Sequence, residues 1–164
     1  MKKFLLLICL IFSNAFASDI SQDPRASLTF RIFNELRHNN TEILNDFYTQ
    51  DVEFVDPIGS LSGLNAMKNY YKNMYKEVES IRFDFTSFSN NGDRYHFSWD
   101  MHLKTPNLNS GEEFTVSGVS EIHFDGELVR YHRDYFDMGE FIYERLPVLG
   151  RIVRLIKERL EYKE

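Results

Sequence analysis

The sequence predicts an α+β domain, and two observations carry that prediction. Apolar residues recur at helical spacing from Asp23 to Val78, then alternate in strand fashion from Ile81 to Asp137. The turn signals Asn90-Asn91-Gly92-Asp93 and Asp125-Gly126 join successive strands directly, as antiparallel neighbours are joined. Helices followed by hairpin-linked strands imply helices packed on one face of a sheet.

The chain opens on an export signal. Lys2 and Lys3 precede an apolar run over residues 4–12, and Ala15-Phe16-Ala17 has the small-x-small form of a cleavage site. The run is too short for an ordinary transmembrane helix. Residues 1–17 are therefore read as a signal peptide, residues 18–24 as the mature N-terminal segment, 25–140 as the domain, and 141–164 as a helical extension. Export points to a bacterial periplasm, with no stable membrane insertion after cleavage. Cleavage after Ala17 shifts the net charge from −6 to −8, because Lys2 and Lys3 leave with the signal. An acidic chain has no electrostatic reason to bind nucleic acid. The single cysteine, Cys9, leaves too, so no disulfide or thiolate site is expected. The aromatic residues, fifteen Phe and nine Tyr in the whole chain with Phe4, Phe12 and Phe16 in the signal, must then supply the core.

Asp23-Pro24 opens the first helix, Asp as N-cap and Pro at the first helical position. Leu28, Ile32, Phe33 and Leu36 form its apolar stripe. Thr41 caps a short second helix with Ile43, Leu44, Phe47 and Tyr48 facing inward. Residues 52–55 make a short strand, stopped by Asp56-Pro57-Ile58-Gly59, where Gly59 is expected to hold a backbone that only glycine tolerates. Ser62 caps a third helix with Leu64, Met67, Tyr71, Met74 and Val78 on one face and Tyr70 and Tyr75 beside it.

Ile81, Phe83 and Phe85 share one side of the next strand. Residues 94–104 alternate most cleanly: Tyr95, Phe97, Trp99, Met101 and Leu103 against His96, Ser98, Asp100 and His102. Which of these faces lines a pocket stays open. The strand over 114–124 contains Gly118, read as a bulge or bend. In the last strand Val129, Tyr131, Arg133 and Tyr135 share one face, and Arg130, His132, Asp134 and Phe136 the other. After Pro147 a final helix carries Leu149, Ile152, Ile156 and Leu160 on one side and Arg151, Arg154, Lys157 and Arg159 around the rest. Such a basic amphipathic helix lies on an anionic membrane or folds back on the domain or a second subunit. The single apolar stripe is read as folding back.

The segment Phe54-Val55-Asp56-Pro57-Ile58-Gly59-Ser60, ahead of Gly63 and the third helix, resembles the nuclear-transport-factor-2-like superfamily, with its SnoaL-like polyketide cyclases, ketosteroid isomerases and limonene epoxide hydrolases. The resemblance covers roughly residues 23–140. It implies a cone, a strongly curved antiparallel sheet wrapped on the N-terminal helices around a deep, mostly apolar pocket, here with an extra C-terminal helix. Asp56 is similar to the proton-shuttling aspartate of the isomerases. His132-Arg133-Asp134-Tyr135-Phe136-Asp137 is similar to the last strand of the epoxide hydrolases, with Asp134 as one of a catalytic pair and Asp100 near the other. The isomerase oxyanion-hole positions map to Ile32 and Ser120, and the epoxide hydrolase arginine maps to Ser98, so this chain departs from both patterns.

The resemblance implies acid–base chemistry on a small hydrophobic molecule, without cofactor or metal, as an isomerase, lyase or hydrolase. Asp56, Asp134 and His132 are the catalytic candidates: Asp56 as base in an apolar pocket, Asp134 as second acid, His132 polarising a carbonyl or hydroxyl. Asp100, Tyr48, Ser120 and Phe136 are the candidate ligand contacts. The other reading is a non-catalytic binding or assembly module on the same fold. A homodimer is compatible with either.

Overall fold

The structure, a computed structural model, describes residues 20–160. The signal segment over 1–17, its cleavage point and Cys9 lie outside the described residues.

Helix α1 (Pro24–Glu35) starts where Asp23 accepts from the amides of Arg25 and Ala26, at 2.9 and 3.0 Å. Asp23 also accepts from Tyr95 Oη at 2.9 Å, which ties the helix start to the sheet. The buried face is Ala26, Thr29, Ile32 and Phe33, so the inward stripe includes a threonine. Thr29 satisfies its hydroxyl by donating to the Arg25 carbonyl at 2.8 Å. Asn40 closes the helix exit: it donates to Glu35 O and accepts from Arg37 N.

The second short helix is a 3₁₀ turn over Thr41–Asp46, without a side-chain cap from Thr41. Tyr48, expected at its end, instead begins strand β1 (Tyr48–Asp56). Strand β2 (Gly59–Ser62) follows a turn at Pro57-Ile58 and pairs antiparallel with β1. It is exposed and polar, so it shows no alternation to read in the sequence. Helix α2 (Leu64–Met74) starts from Gly63 rather than Ser62, because the turn out of β2 demands φ +90°. Gly59, by contrast, has an ordinary φ and open space around its Cα, so the expected constraint sits four residues further on.

Strands β3 (Ser80–Asn91), β4 (Arg94–Lys104), β5 (Phe114–Asp125) and β6 (Leu128–Phe136) complete a curled, unclosed sheet ordered β2-β1-β6-β5-β4-β3. All pairs are antiparallel except β1–β6, which is parallel. Tyr95, Phe97, Trp99, Met101 and Leu103 face the helices, each no more than 8% exposed. Edge-to-face contacts knit α1 to this wall, with Phe33 against Phe83 at 5.1 Å and against Phe85 at 5.4 Å.

Two details of the sheet differ from the expectation. Gly118 is no bulge: it pairs in register with Trp99 and Phe136. It is glycine because the Trp99 ring lies across its Cα, where a Cβ would collide. In the β5–β6 pair the register shifts instead between His123 and Phe124, opposite Arg130; the β1–β6 and β3–β4 pairs carry shifts of their own. The shift opposite Arg130 turns Val129 onto the same buried side as His132, while Arg130 stays exposed.

After the short helix α3 (Met138–Phe141), capped by Asp137, and a 3₁₀ turn over Tyr143–Arg145, the chain ends in helix α4 (Leu149–Leu160). The expected fold-back does not occur on this domain. Leu149, Ile152, Ile156 and Leu160 are 39, 50, 52 and 80% exposed.

Candidate functional site

A cavity of about 320 Å³ lies between the concave face of the sheet, α1, α2 and the loop after β4. That volume is at the small end for ligand pockets. Tyr71 and Tyr75 from α2 and its C-terminus, Phe54 from β1, Trp99 from β4, Phe136 from β6 and Phe141 from α3 form much of its wall. Asp56 and Asp134 both reach it.

Asp134 sits at the focus of two hydrogen-bonded arms. Its partner across the β5–β6 pair is Ser120, whose Oγ donates to Oδ1 at 2.5 Å. Trp99 Nε1 donates to Ser120 Oγ at 2.9 Å. From the other side His132 Nε2 lies 2.9 Å from the same Oδ1. Tyr48 Oη lies 2.6 Å from His132 Nδ1. One proton arrangement satisfies every atom: Trp99 donates to Ser120, Ser120 to Asp134, Tyr48 to Nδ1, and Nε2–H to Asp134. Both arms end on Oδ1. Oδ2 accepts no hydrogen bond from the described residues, on a side chain that lines the cavity.

The local sequence explains the focus. Inward positions of β5 and β6 recur every second residue, so Ser120 meets Asp134 and Ile122 meets His132. His132 is fully buried. Its ring stacks on Tyr48 at 6.0 Å, and Phe54 meets it edge-on at 5.2 Å. His132 is not among the residues lining the cavity; its ring nitrogens face Tyr48 and Asp134. Arg133, the neighbour that might have neutralised Asp134, points outward over the Tyr135 ring.

Asp56 is held differently. Its Oδ1 accepts from the amides of Ile58 and Gly59, at 2.8 and 2.9 Å, closing the β1–β2 turn. Its Oδ2 accepts from the Tyr70 hydroxyl. Both oxygens are thus committed, one to the turn and one to a tyrosine at the cavity wall. Tyr48 and Phe136 join the lining, whereas Ser120 stands behind Asp134. Asp100 is not part of the assembly. It lies on the opposite face of β4 from Trp99, where Ser117 Oγ donates to it at 2.6 Å.

The sequence reading passed over Tyr70, Tyr71, Tyr75 and Trp99 as site members. Tyr71 and Tyr75 are four residues apart and so share a helix face; this was the available signal. Burial pushes the Tyr48, Tyr70, Tyr71 and Tyr75 hydroxyls above the usual phenol range, and the Asp134 charge pushes all four further. For Tyr70 the hydrogen bond to Asp56 is the next cause after burial. Arg37 opposes the shift at Tyr75. These four hydroxyls therefore stay protonated and neutral, able to donate hydrogen bonds.

The arrangement suits proton transfer better than nucleophilic attack. Ser120 is fully buried behind Asp134 and off the cavity wall, so its oxygen is not presented to a bound molecule. Among the described residues no group of three or more His, Cys, Asp or Glu is placed to hold a metal ion.

The profile of the SnoaL-like domain matches residues 30–132. No curated protein matches the sequence. Several solved structures share the fold. A hypothetical protein with a ketosteroid isomerase-like fold from Catenulispora acidiphila DSM 44928, in complex with trimethylamine, superposes with TM-score 0.64 at 14% identity. That alignment covers 74% of this chain and 91% of the other. A putative SnoaL-like polyketide cyclase from Shewanella putrefaciens CN-32 gives 0.63 at 18% identity, over 73% and 93% of the two chains. TerC, co-crystallized with polyporic acid, gives 0.61 at 20% identity, over 73% and 95%.

Proposed function

We propose, from the premise that the chain belongs to the SnoaL-like domain family, that it is an enzyme performing acid–base chemistry on a small hydrophobic molecule held in the cone. The reaction class is isomerisation, cyclisation, dehydration or hydrolysis. The observation that carries this reading is the Asp134 carboxylate, fixed through Oδ1 and open at Oδ2 within an aromatic cavity. A base fixed through one oxygen presents the other in a defined direction, which proton transfer requires. Asp134 takes the proton from the bound molecule. The Ser120 and His132 arms stabilise the carboxylate between turnovers and keep it from rotating. The Tyr70 hydroxyl, on the same wall, rests with its one proton on Asp56; turned from Asp56 toward the cavity, it would hydrogen-bond an oxygen on which negative charge builds. Asp56, the base expected from the sequence, becomes the resting acceptor of the Tyr70 hydroxyl.

The small molecules in the Catenulispora and TerC structures support a small-molecule ligand for this fold. Export to the periplasm remains part of the proposal and fits the Lys2-Lys3 and Ala15-Phe16-Ala17 pattern.

Trp99 is the single tryptophan of the chain and lines the cavity, so its fluorescence reports occupancy. The test is a screen of small apolar carbonyl and hydroxyl compounds for Trp99 quenching, followed by product analysis of each hit. Conversion of a hit by the wild-type chain supports an enzyme. Saturable quenching with no hit converted overturns it in favour of a non-catalytic binding module.

A further inference from the structure

Helix α4 is mounted with its polar side toward the domain and its apolar side away from it. At about 100° per residue, Gly150, Arg154 and Lys157 fall within one narrow arc, and Leu149, Ile152, Val153, Ile156 and Leu160 fall within another. The first arc grips Glu144. Gly150 approaches so closely that a Cβ would meet the Glu144 carbonyl. Arg154 Nη1 donates to that carbonyl at 3.0 Å, and Lys157 pairs with the Glu144 carboxylate. Among the described residues nothing covers most of the apolar arc, in which Val153 alone is half-buried, and Val148 and Leu155 beside it are 75 and 56% exposed.

We propose that α4 docks the protein on an anionic phospholipid surface. Burial inside the domain is excluded by the Glu144 contacts, which fix the apolar arc outward. At 12 residues the helix is too short to span a bilayer, and no helix among the described residues is long and apolar enough to do so. It is instead built to lie in the interface, apolar side down. Charge selects the partner. The helix carries Arg151, Arg154, Lys157 and Arg159 against Glu158 alone, in a chain whose net charge is −6. Arg151 and Arg159 have no ion-pair partner among the described residues. A second copy packed on the same stripe would bring these unpaired cations together, whereas lipid phosphates would neutralise them. The acidic remainder of the chain is repelled by the same surface, so the molecule would settle with α4 toward the lipid.

The docking end adjoins the cavity. The loop after β4 supplies Asn107 and Leu108 to the cavity wall, and Asn109 and Ser110 to the cleft shared with Glu144 and Arg154. The proposal stands whether or not the cavity is catalytic.

The test is vesicle flotation of the chain from Ser18 to Glu164. This chain keeps every described residue and leaves out the apolar N-terminal run. Wild type should float with phosphatidylcholine–phosphatidylglycerol vesicles, stay behind with pure phosphatidylcholine, and be released by salt. Ile152→Ser/Ile156→Ser and Arg151→Ser/Arg159→Ser should each weaken binding by roughly tenfold or more while keeping the wild-type melting curve. Failure of wild type to bind anionic vesicles overturns the proposal. So does a dimer in solution that the isoleucine variant dissociates, because a second copy would then be the occupant.

Discussion

Ser120 and Asp134 face each other across β5 and β6, and the serine hydroxyl donates to Oδ1 of the aspartate at 2.5 Å. The serine is fully buried and itself accepts from Trp99, so one residue links the cavity wall to the carboxylate. One serine of β5 thus holds both the Asp134 carboxylate of β6 and the Trp99 indole of β4.

Ser120→Ala tests the link. It leaves the Trp99 indole N–H without its acceptor in a buried position and removes one arm from Asp134. The expected loss is about 1–3 kcal/mol of unfolding free energy. Urea denaturation of the variant measures it. An unchanged midpoint would mean that the bond contributes nothing net.

Gly118→Ala should cost more than Gly59→Ala. An added Cβ at Gly118 collides with the Trp99 ring, which cannot move away without losing its bond to Ser120. Overpacking of this kind costs about 1–3 kcal/mol. At Gly59 there is open space and an ordinary backbone, so alanine should be near neutral. Equal urea midpoints for the two variants would contradict the packing described.

Alkaline pH should unfold the protein through its cavity tyrosines. Tyr48, Tyr70, Tyr71 and Tyr75 have folded-state values raised above the usual phenol value of 10.0. The folded state therefore holds these protons more tightly than the unfolded chain does. Their contribution is fully present below about pH 10 and is lost as pH rises through the unfolded value toward the folded one. Tyrosinate absorbance and circular dichroism, followed together, should show these four ionising only as the fold opens. Complete tyrosine ionisation with a native dichroism spectrum would contradict it.

Much of this was legible in the sequence, for reasons that differ by element. The inward face of β4 was readable because five large apolar residues alternate without interruption, and Asp100 falls on the other face by the same count. The inward placement of His132 and Asp134 followed from their spacing of two. The roles did not follow. His132 is a buried support because Tyr48 begins a strand and reaches its Nδ1, and a helical reading of Tyr48 hid that contact. Asp56 is committed to a turn and to Tyr70 because β2 folds back beside β1, and β2 is too short, polar and exposed to announce itself. The Val129 inversion rests on a bulge that no local residue signals. The outward face of α4 rests on Glu144, whose grip on Gly150, Arg154 and Lys157 is a tertiary contact.

The central claim is that Asp134 moves the proton and Asp56 does not. The most direct measurement is turnover of a compound that quenches Trp99, compared between Asp134→Asn and Asp56→Asn. Asp134→Asn should still quench and bind, and should lose turnover by about 10²–10⁴-fold, the range for a general acid–base group. Asp56→Asn should retain more activity, because the amide oxygen can still accept from the turn or from Tyr70. Wild-type turnover by Asp134→Asn would contradict the account.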